Sequence, residues 1–167
     1  METHRCVRSI EPIAAMRSDH SLENFITVFG QEELSVEDLT LLTDARVSVG
    51  CRTLSSDAAA LINIIDFDLV PSLPPELFRK VFPSLLYGAL HCLRDKSNPI
   101  VYSLFSDLIN YSDPTFWGQN FQARWLNQTA RQYGLVGSCV EALEPMLGEH
   151  DTVRALITLD VLASHDS

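Results

Sequence analysis

Two apolar segments joined by a short polar turn, between Gly134 and Ala163, limit the possible folds of this chain more than any other feature. In the second segment the apolar side chains fall on two stripes at helical spacing, one with Val153, Leu156, Ile157 and Val161 and one with Leu159 and Leu162. A helix that is apolar on two sides needs neighbours on two sides. We therefore expect this segment to be an interior layer of a helical stack, or its end layer.

The small and polar residues around these stripes predict where the helices begin and end. Gly134 can end a preceding helix, because glycine adopts the left-handed conformation without a steric penalty. Ser138, with Glu141 three residues later, has the spacing of a capping box. Gly148 interrupts the apolar pattern, and Asp151 is a candidate N-cap for the last helix.

The run EALEPMLGEHDTVRALITLDVLA, residues 141–163, resembles the armadillo and HEAT helical repeats. In those families two antiparallel helices meet through an acidic or proline-containing turn followed by Val-Arg or Val-Gln, and Asp151, Val153 and Arg154 match that pattern. A second copy is visible in FPSLLYGALHCLRDKSNPIVYSLFSDLI, where Val101, Leu104, Phe105 and Ile109 correspond to Val153, Leu156, Ile157 and Val161. The offset of 52 residues (153 − 101) exceeds the roughly 40–47 residues of such repeats, so we expect an extra helix between the copies.

The resemblance implies an all-α fold, an armadillo/HEAT-like α-solenoid fragment of short antiparallel helices. In such a fold the third helix of each unit, here 57–67, 99–111 and 152–163, lines a concave groove. The groove-side positions carried over from the family are Tyr102, Ser106, Arg154 and Thr158. Importin-type members use a Trp and Asn ladder to grip an extended peptide, whereas the matching positions here are Phe105, Ile109, Ile157 and Val161. We therefore expect packing against a partner helix, or another copy of the domain, rather than peptide binding.

The rest of the chain predicts one domain with an N-terminal extension. Residues 1–20 are expected to be a lead-in or cap, and 21–167 a single armadillo/HEAT-like helical domain. The expected helices are 21–30, 35–50 and 57–67, a short helix from Pro75 that Pro83 cuts, a longer one after Pro83, one opening at Asn98–Pro99 and one over 119–133. The segment 69–75 is expected to be a loop between units, because two prolines in a row exclude a helix interior.

An aromatic pair in the 119–133 segment is a candidate binding surface. Phe121, Trp125 and Gln128 lie on one side of that helix, away from the stripe expected to face the core. Tryptophan anchors are enriched in protein-binding hot spots. The alternative is that Trp125 packs on an adjacent helix, since tryptophan is largely buried in most proteins.

Charge and composition restrict the kind of partner. The net charge of −10 removes the electrostatic attraction on which nucleic-acid binding depends, so protein partners are favoured over nucleic acid. No apolar run approaches the roughly 18 residues of a membrane span. Four cysteines without close pairing, and no recognisable signal peptide, favour an intracellular protein, cytoplasmic or nuclear.

No cluster of residues indicates a reaction. Asp66 and Asp68 lack a third metal ligand, and the adjacent His91 and Cys92 would point about 100° apart on a helix. Nucleotide-binding glycine patterns do not occur. We therefore expect no catalytic activity, no metal and no cofactor. The favoured function is a protein–protein interaction scaffold domain, part of a larger protein, that binds a partner segment or helix through its groove or end face. The alternatives are a self-associating, homodimerising module and, least favoured, a helical-repeat nucleic-acid binder.

Overall fold

The computed structural model describes residues 20–31, 33–44, 47–48, 63–64, 72–91 and 98–165. Their elements are α1 (Leu22–Phe29), α2 (Val36–Asp44), β1 (Val47–Ser48), β2 (Asn63–Ile64), α3 (Pro75–His91), α4 (Asn98–Asn110), a 3-10 turn (Pro114–Phe116), α5 (Gln119–Trp125), α6 (Ala130–Ala142), α7 (Glu144–Leu147) and α8 (Glu149–His165). Apart from the two-residue antiparallel pairing of β1 with β2, this regular structure is helical, and the fold is all-α. No helix in the described part of the chain is long and apolar enough to cross a membrane.

Helices α3 and α6 run side by side in the same direction. Near the start of α3, the Arg79 guanidinium donates hydrogen bonds to the backbone carbonyls of Arg124 and Leu126, just before α6 begins. At the other end, the His91 ring lies 2.8 Å from the carbonyl of His20. The ring of His20 in turn lies 2.7 Å from Ser138 Oγ, in the second half of α6. The beginnings of the two helices are therefore close together, and so are their ends.

Helices α4 and α8 form a second parallel pair. The Thr158 hydroxyl donates a hydrogen bond to the carbonyl of Leu108, 50 residues earlier and near the end of α4. One ring links the ends of the two helices, because Trp117 donates to the carbonyl of Tyr111 at 2.7 Å and packs 5.4 Å from the ring of His165. Since α3 packs on α4 and α6 packs on α8, the two parallel pairs form two layers.

Helix α1 packs on the layer formed by α3 and α6 and runs antiparallel to both helices. Its start, at His20, lies near Ser138, whereas near its end the carbonyl of Val28 accepts a hydrogen bond from Gln132, in the first turn of α6. Phe25 is fully buried beneath α1 and meets the edge of the Tyr87 ring at 5.3 Å. The N-terminal helix therefore belongs to the same hydrophobic core as the rest.

Local capping signals are confirmed where they involve neighbours in sequence. The Ser21 side chain caps α1, which ends at Gly30 with φ of 82°. Ser35 and Asp38 form a reciprocal capping pair at the start of α2, where the predicted helix opens. The helix that opens at Asn98–Pro99 and the stop at Gly148 are also observed.

Two expected helices of the N-terminal half are wrong in part. The helix predicted over 35–50 ends at Asp44, and Val47–Ser48 is a strand instead. The helix predicted over 57–67 contains strand Asn63–Ile64, and the other residues of that prediction lie outside the described residues. Valine and isoleucine favour extended backbone because their branched side chains are stiff, and pairing between the strands outweighs helix formation.

The predicted cut at Pro83 does not occur, and α3 continues through it to His91. The proline removes the hydrogen bond that the carbonyl of Arg79 would otherwise accept, at a cost of about 3 kcal/mol. Buried aromatic and aliphatic side chains on both sides of the proline, including Phe82 and Leu85, offset that cost. Tertiary packing therefore keeps the helix continuous.

The segment 119–133, which was predicted as one helix, is broken into two helices at a point that no sequence signal indicated. Helix α5 ends at Trp125, and Asn127 has a positive φ of 63°. Helix α6 then begins behind a capping box of Thr129 and Gln132 and continues through Gly134 and Ser138. Gly134 is therefore not a helix end, and Ser138 and Asp151 lie inside helices rather than at their caps.

Candidate functional site

The last helix, α8, buries one face and exposes the opposite one. Its buried side chains are Thr152, Ala155, Thr158, Leu159 and Leu162. On the other side, Val153 and Ile157 are 49% and 47% exposed. Leu156 and Val161 are half-buried at the edges of this stripe. We call these four residues, with the exposed Asp160, the α8 outer face.

The matching stripe of α4 has a different environment. Val101, Leu104, Phe105 and Leu108 occupy the positions that correspond, 52 residues later, to Val153, Leu156, Ile157 and Asp160, and all four are 2% exposed or less. Thr158 of α8 bonds to the carbonyl of Leu108, and α8 packs against α4, as α3 and α7 also do. In α4 the stripe is buried, whereas in α8 Val153 and Ile157 are about half exposed.

Charged residues are distributed unevenly around Val153 and Ile157. With 100° per residue, Glu149 and Asp160 project on one flank of Ile157, and both are exposed. Arg154 projects on the other flank and is half-buried. Neither of the two acids makes an ion pair with any described residue. The face therefore combines an apolar centre with one acidic edge.

The predicted groove residues of α4 form a narrow polar stripe. Tyr102 and Asn110 are exposed and Ser106 is half-buried. The Tyr102 hydroxyl accepts a hydrogen bond of 3.4 Å from the Asn110 amide, and the Ser106 hydroxyl donates to the carbonyl of Ser103 at 3.2 Å. These contacts stay within α4, so they leave the upper surface of the stripe to solvent.

Phe121 and Trp125, expected as a candidate binding surface, are in the core. Trp125 is fully buried and meets the edges of Phe78 and Phe82 at 5.5 and 5.1 Å. Its indole nitrogen donates to Asp107 Oδ2 at 3.0 Å. The alternative, packing on an adjacent helix, describes Trp125, because a fully buried ring cannot anchor a partner.

Two other predicted residues also serve the fold. Thr158 is fully buried, and its hydroxyl joins α8 to α4 through the carbonyl of Leu108. The half-buried Gln128 donates to the carbonyl of Arg124 at 3.3 Å. Of the predicted residues, Tyr102, Ser106 and Arg154 are the ones with side chains on or near the α4 and α8 surfaces.

A small pocket lies between α1, α3 and the turn that joins α5 to α6. Its volume is about 220 Å³, and its walls are Phe29, Phe78, Arg79, Phe82, Pro83, Asn127, Gln128 and Gln132. Much of the polar lining is already bonded, since Arg79 binds two carbonyls and Gln132 binds Thr129 and Val28. The volume is below the roughly 300–1,000 Å³ of small-molecule sites.

Two reactive side chains in the described part of the chain, Cys139 and His20, pack or bond within the fold. Cys139 is fully buried, and burial raises the pKa of its thiol. The ring of His20 contacts Ser138 and thereby joins α1 to α6. Among the described residues no three His, Cys, Asp or Glu side chains could hold a metal ion together.

Sequence reasoning recognised the stripe of Val153 and Ile157 but did not place those two among the binding residues. The signal that could have found them is the presence of two apolar stripes on α8, since only the stripe with Leu159 and Leu162 is buried.

No family model, curated protein or solved structure matches this chain.

Proposed function

We propose that this chain is a non-catalytic helical interaction domain that binds a helix of another protein on the α8 outer face. One observation carries the proposal: the stripe that is buried on α4 is repeated on α8, where Val153 and Ile157 remain about half exposed. The resemblance to armadillo and HEAT repeats supports it further, because those proteins bury such stripes by stacking helices.

The energetic gain from covering this face is modest. Burying the exposed parts of Val153 and Ile157 contributes about 1 kcal/mol each. Stable recognition therefore also requires contacts at the flanks of α8, where Glu149, Asp160 and Arg154 lie. A single helix that lies along α8 is enough to cover a face of this size.

A second candidate function is self-association through the same face. Two copies can each cover the exposed stripe of the other, since a two-fold interface uses the same surface on both subunits. The two candidates differ in oligomeric state, which sedimentation across a range of protein concentrations measures directly.

Replacing Ile157 by aspartate tests the proposal. Ile157→Asp puts a carboxylate at the centre of the face, and we expect it to remove protein partners that the unchanged domain captures. The matched control is Val36→Asp, since Val36 is 68% exposed on α2 and its replacement should leave capture unchanged. Circular dichroism establishes that both variants remain folded.

The outcome also decides between the two candidates. A monomer at high concentration, with partner capture lost only in Ile157→Asp, supports binding of another protein. A dimer that Ile157→Asp dissociates supports self-association. Capture that is equal for the unchanged domain and both variants contradicts a role of this face.

A further inference from the structure

We infer that the helix bound by the α8 outer face is amphipathic and carries basic residues along the edge that meets Glu149 and Asp160. This inference rests on the proposed function and specifies the chemistry of the partner. The apolar side chains of the bound helix would lie against Val153 and Ile157, as the apolar side of α8 lies against α4.

One substitution between the matching stripes carries the inference. Leu108, in the covered stripe of α4, is fully buried. Its counterpart in α8 is Asp160, which is exposed. A helix that covered the α8 outer face would remove water from this carboxylate, and burying a charge without a partner is strongly unfavourable. A Lys or Arg on the incoming helix compensates for the lost hydration.

A second acid strengthens the requirement. Glu149 lies eleven residues before Asp160, about three helical turns away on the same flank. An incoming helix along α8 meets both carboxylates with one edge. Basic residues about three turns apart on that edge would pair with both acids, and such placement fixes the register of the two helices.

A second copy of this chain fits the face less well. Each copy brings Glu149 and Asp160 against a single Arg154, so a pair of α8 helices contains more acids than bases in either relative direction. The net charge of −10 adds longer-range repulsion between copies and attraction for a basic partner.

Two designed helical peptides of about five turns provide the test. Both carry the same leucine face, and they differ only in having lysine or glutamate along one edge. We expect the lysine peptide to bind the full chain at least about tenfold more tightly than the glutamate peptide at low salt, and added salt to reduce this difference. Amide shifts of Val153 and Ile157 in NMR spectra locate the bound peptide.

A charge-reversed chain separates a local effect from overall charge. In Glu149→Lys/Asp160→Lys we expect the preference to reverse in favour of the glutamate peptide. The matched control, Glu37→Lys/Glu141→Lys, changes the net charge equally at exposed positions of α2 and α6 and should keep the preference for lysine.

Three results overturn the inference: equal binding of the two peptides, an equal effect of both double variants, or no binding of either peptide at Val153 and Ile157. In each case the proposed function is judged separately by the effect of Ile157→Asp on capture. If that variant still loses its partners, the face binds a helix of different chemistry.

Discussion

The carboxylate of Asp107 organises the interior of the molecule at the scale of single residues. One oxygen, Oδ2, accepts from Arg124 Nε at 2.8 Å and from the Trp125 indole at 3.0 Å. The Arg124 guanidinium also lies 5.8 Å from the centre of the Phe78 ring. Asp107 and Arg124 are both buried, so each charged side chain is stabilised by the other. This cluster fixes α5 against α3 and α4.

Removing this carboxylate should destabilise the protein strongly. Asp107→Ala leaves the Arg124 charge and the Trp125 N–H buried without their acceptor, and we expect a loss of about 3 kcal/mol in the free energy of unfolding. Urea denaturation measures this loss, with Asp160→Ala as the exposed control, expected to change it by less than about 0.5 kcal/mol. The double variant Asp107→Leu/Arg124→Leu should be more stable than Asp107→Ala, and an equal or lower stability would contradict this account.

Asp38 should give α2 a pH-dependent attachment. A hydrogen bond from the Ser35 backbone, followed by contact with Lys80 at 3.1 Å, lowers the pKa of Asp38 below its usual 3.8. A carboxyl whose pKa is lower in the folded state stabilises that state above the unfolded pKa, and the stabilisation is lost as the pH falls through the folded pKa. We expect Asp38→Asn to lower the free energy of unfolding by up to about 1 kcal/mol at neutral pH, and the difference from the unchanged chain to vanish well below pH 3.8.

Thermal unfolding at a series of pH values measures this difference. Asp160→Asn controls for the general loss of one negative charge. A difference between Asp38→Asn and the unchanged chain that persisted in strong acid would contradict a role for the charge of Asp38.

At the scale of elements, Asn127 determines how α5 joins α6. Its φ of 63° is a conformation that asparagine and glycine tolerate and β-branched residues do not. We expect Asn127→Ile to lower the free energy of unfolding by about 1–2 kcal/mol and Asn127→Gly to lower it less, because glycine adopts this backbone conformation without strain. Asn120→Ile, at an exposed position in the first turn of α5, is the control in ordinary helical backbone. Equal losses from the two isoleucine variants would show that the backbone at 127 is not the cause.

The elements that could be predicted from sequence are those with local causes. The capping of α1 by Ser21 and of α2 by Ser35 and Asp38 involves side chains and backbone within three residues, a distance that the sequence pattern shows directly. The same holds for the proline signals that open α3 and α4.

The misplaced elements depend on distant partners. The continuity of α3 through Pro83 depends on burial of its neighbours, and the strand at Asn63–Ile64 depends on Val47–Ser48. The burial of Trp125 depends on Asp107, 18 residues away. The α8 outer face was predictable as an apolar stripe, whereas its exposure requires knowledge of which side of α8 meets α4.

At the scale of the whole molecule, the two parallel pairs explain why apolar stripes recur along the chain. The apolar stripe of α4 has its counterpart 52 residues later, in α8. The hydrogen bond between Thr158 and Leu108 joins residues at nearly that separation, 50 residues. A helix that is apolar on two sides needs neighbours on two sides. The correspondence between α4 and α8 ends at Asp160, which stands at the position of Leu108. The partner proposed for α8 is therefore a helix with basic residues.

The position of α1 also determines when this protein can finish folding during synthesis. The partners that hold α1 are made long after it, since His20 and Ser138 are 118 residues apart and Val28 and Gln132 are 104 apart. At about 5–20 residues per second on the ribosome, Phe25 waits for several seconds before α6 emerges. During that interval the apolar side of α1 is accessible to chaperones, because its partners on α6 have not yet been made.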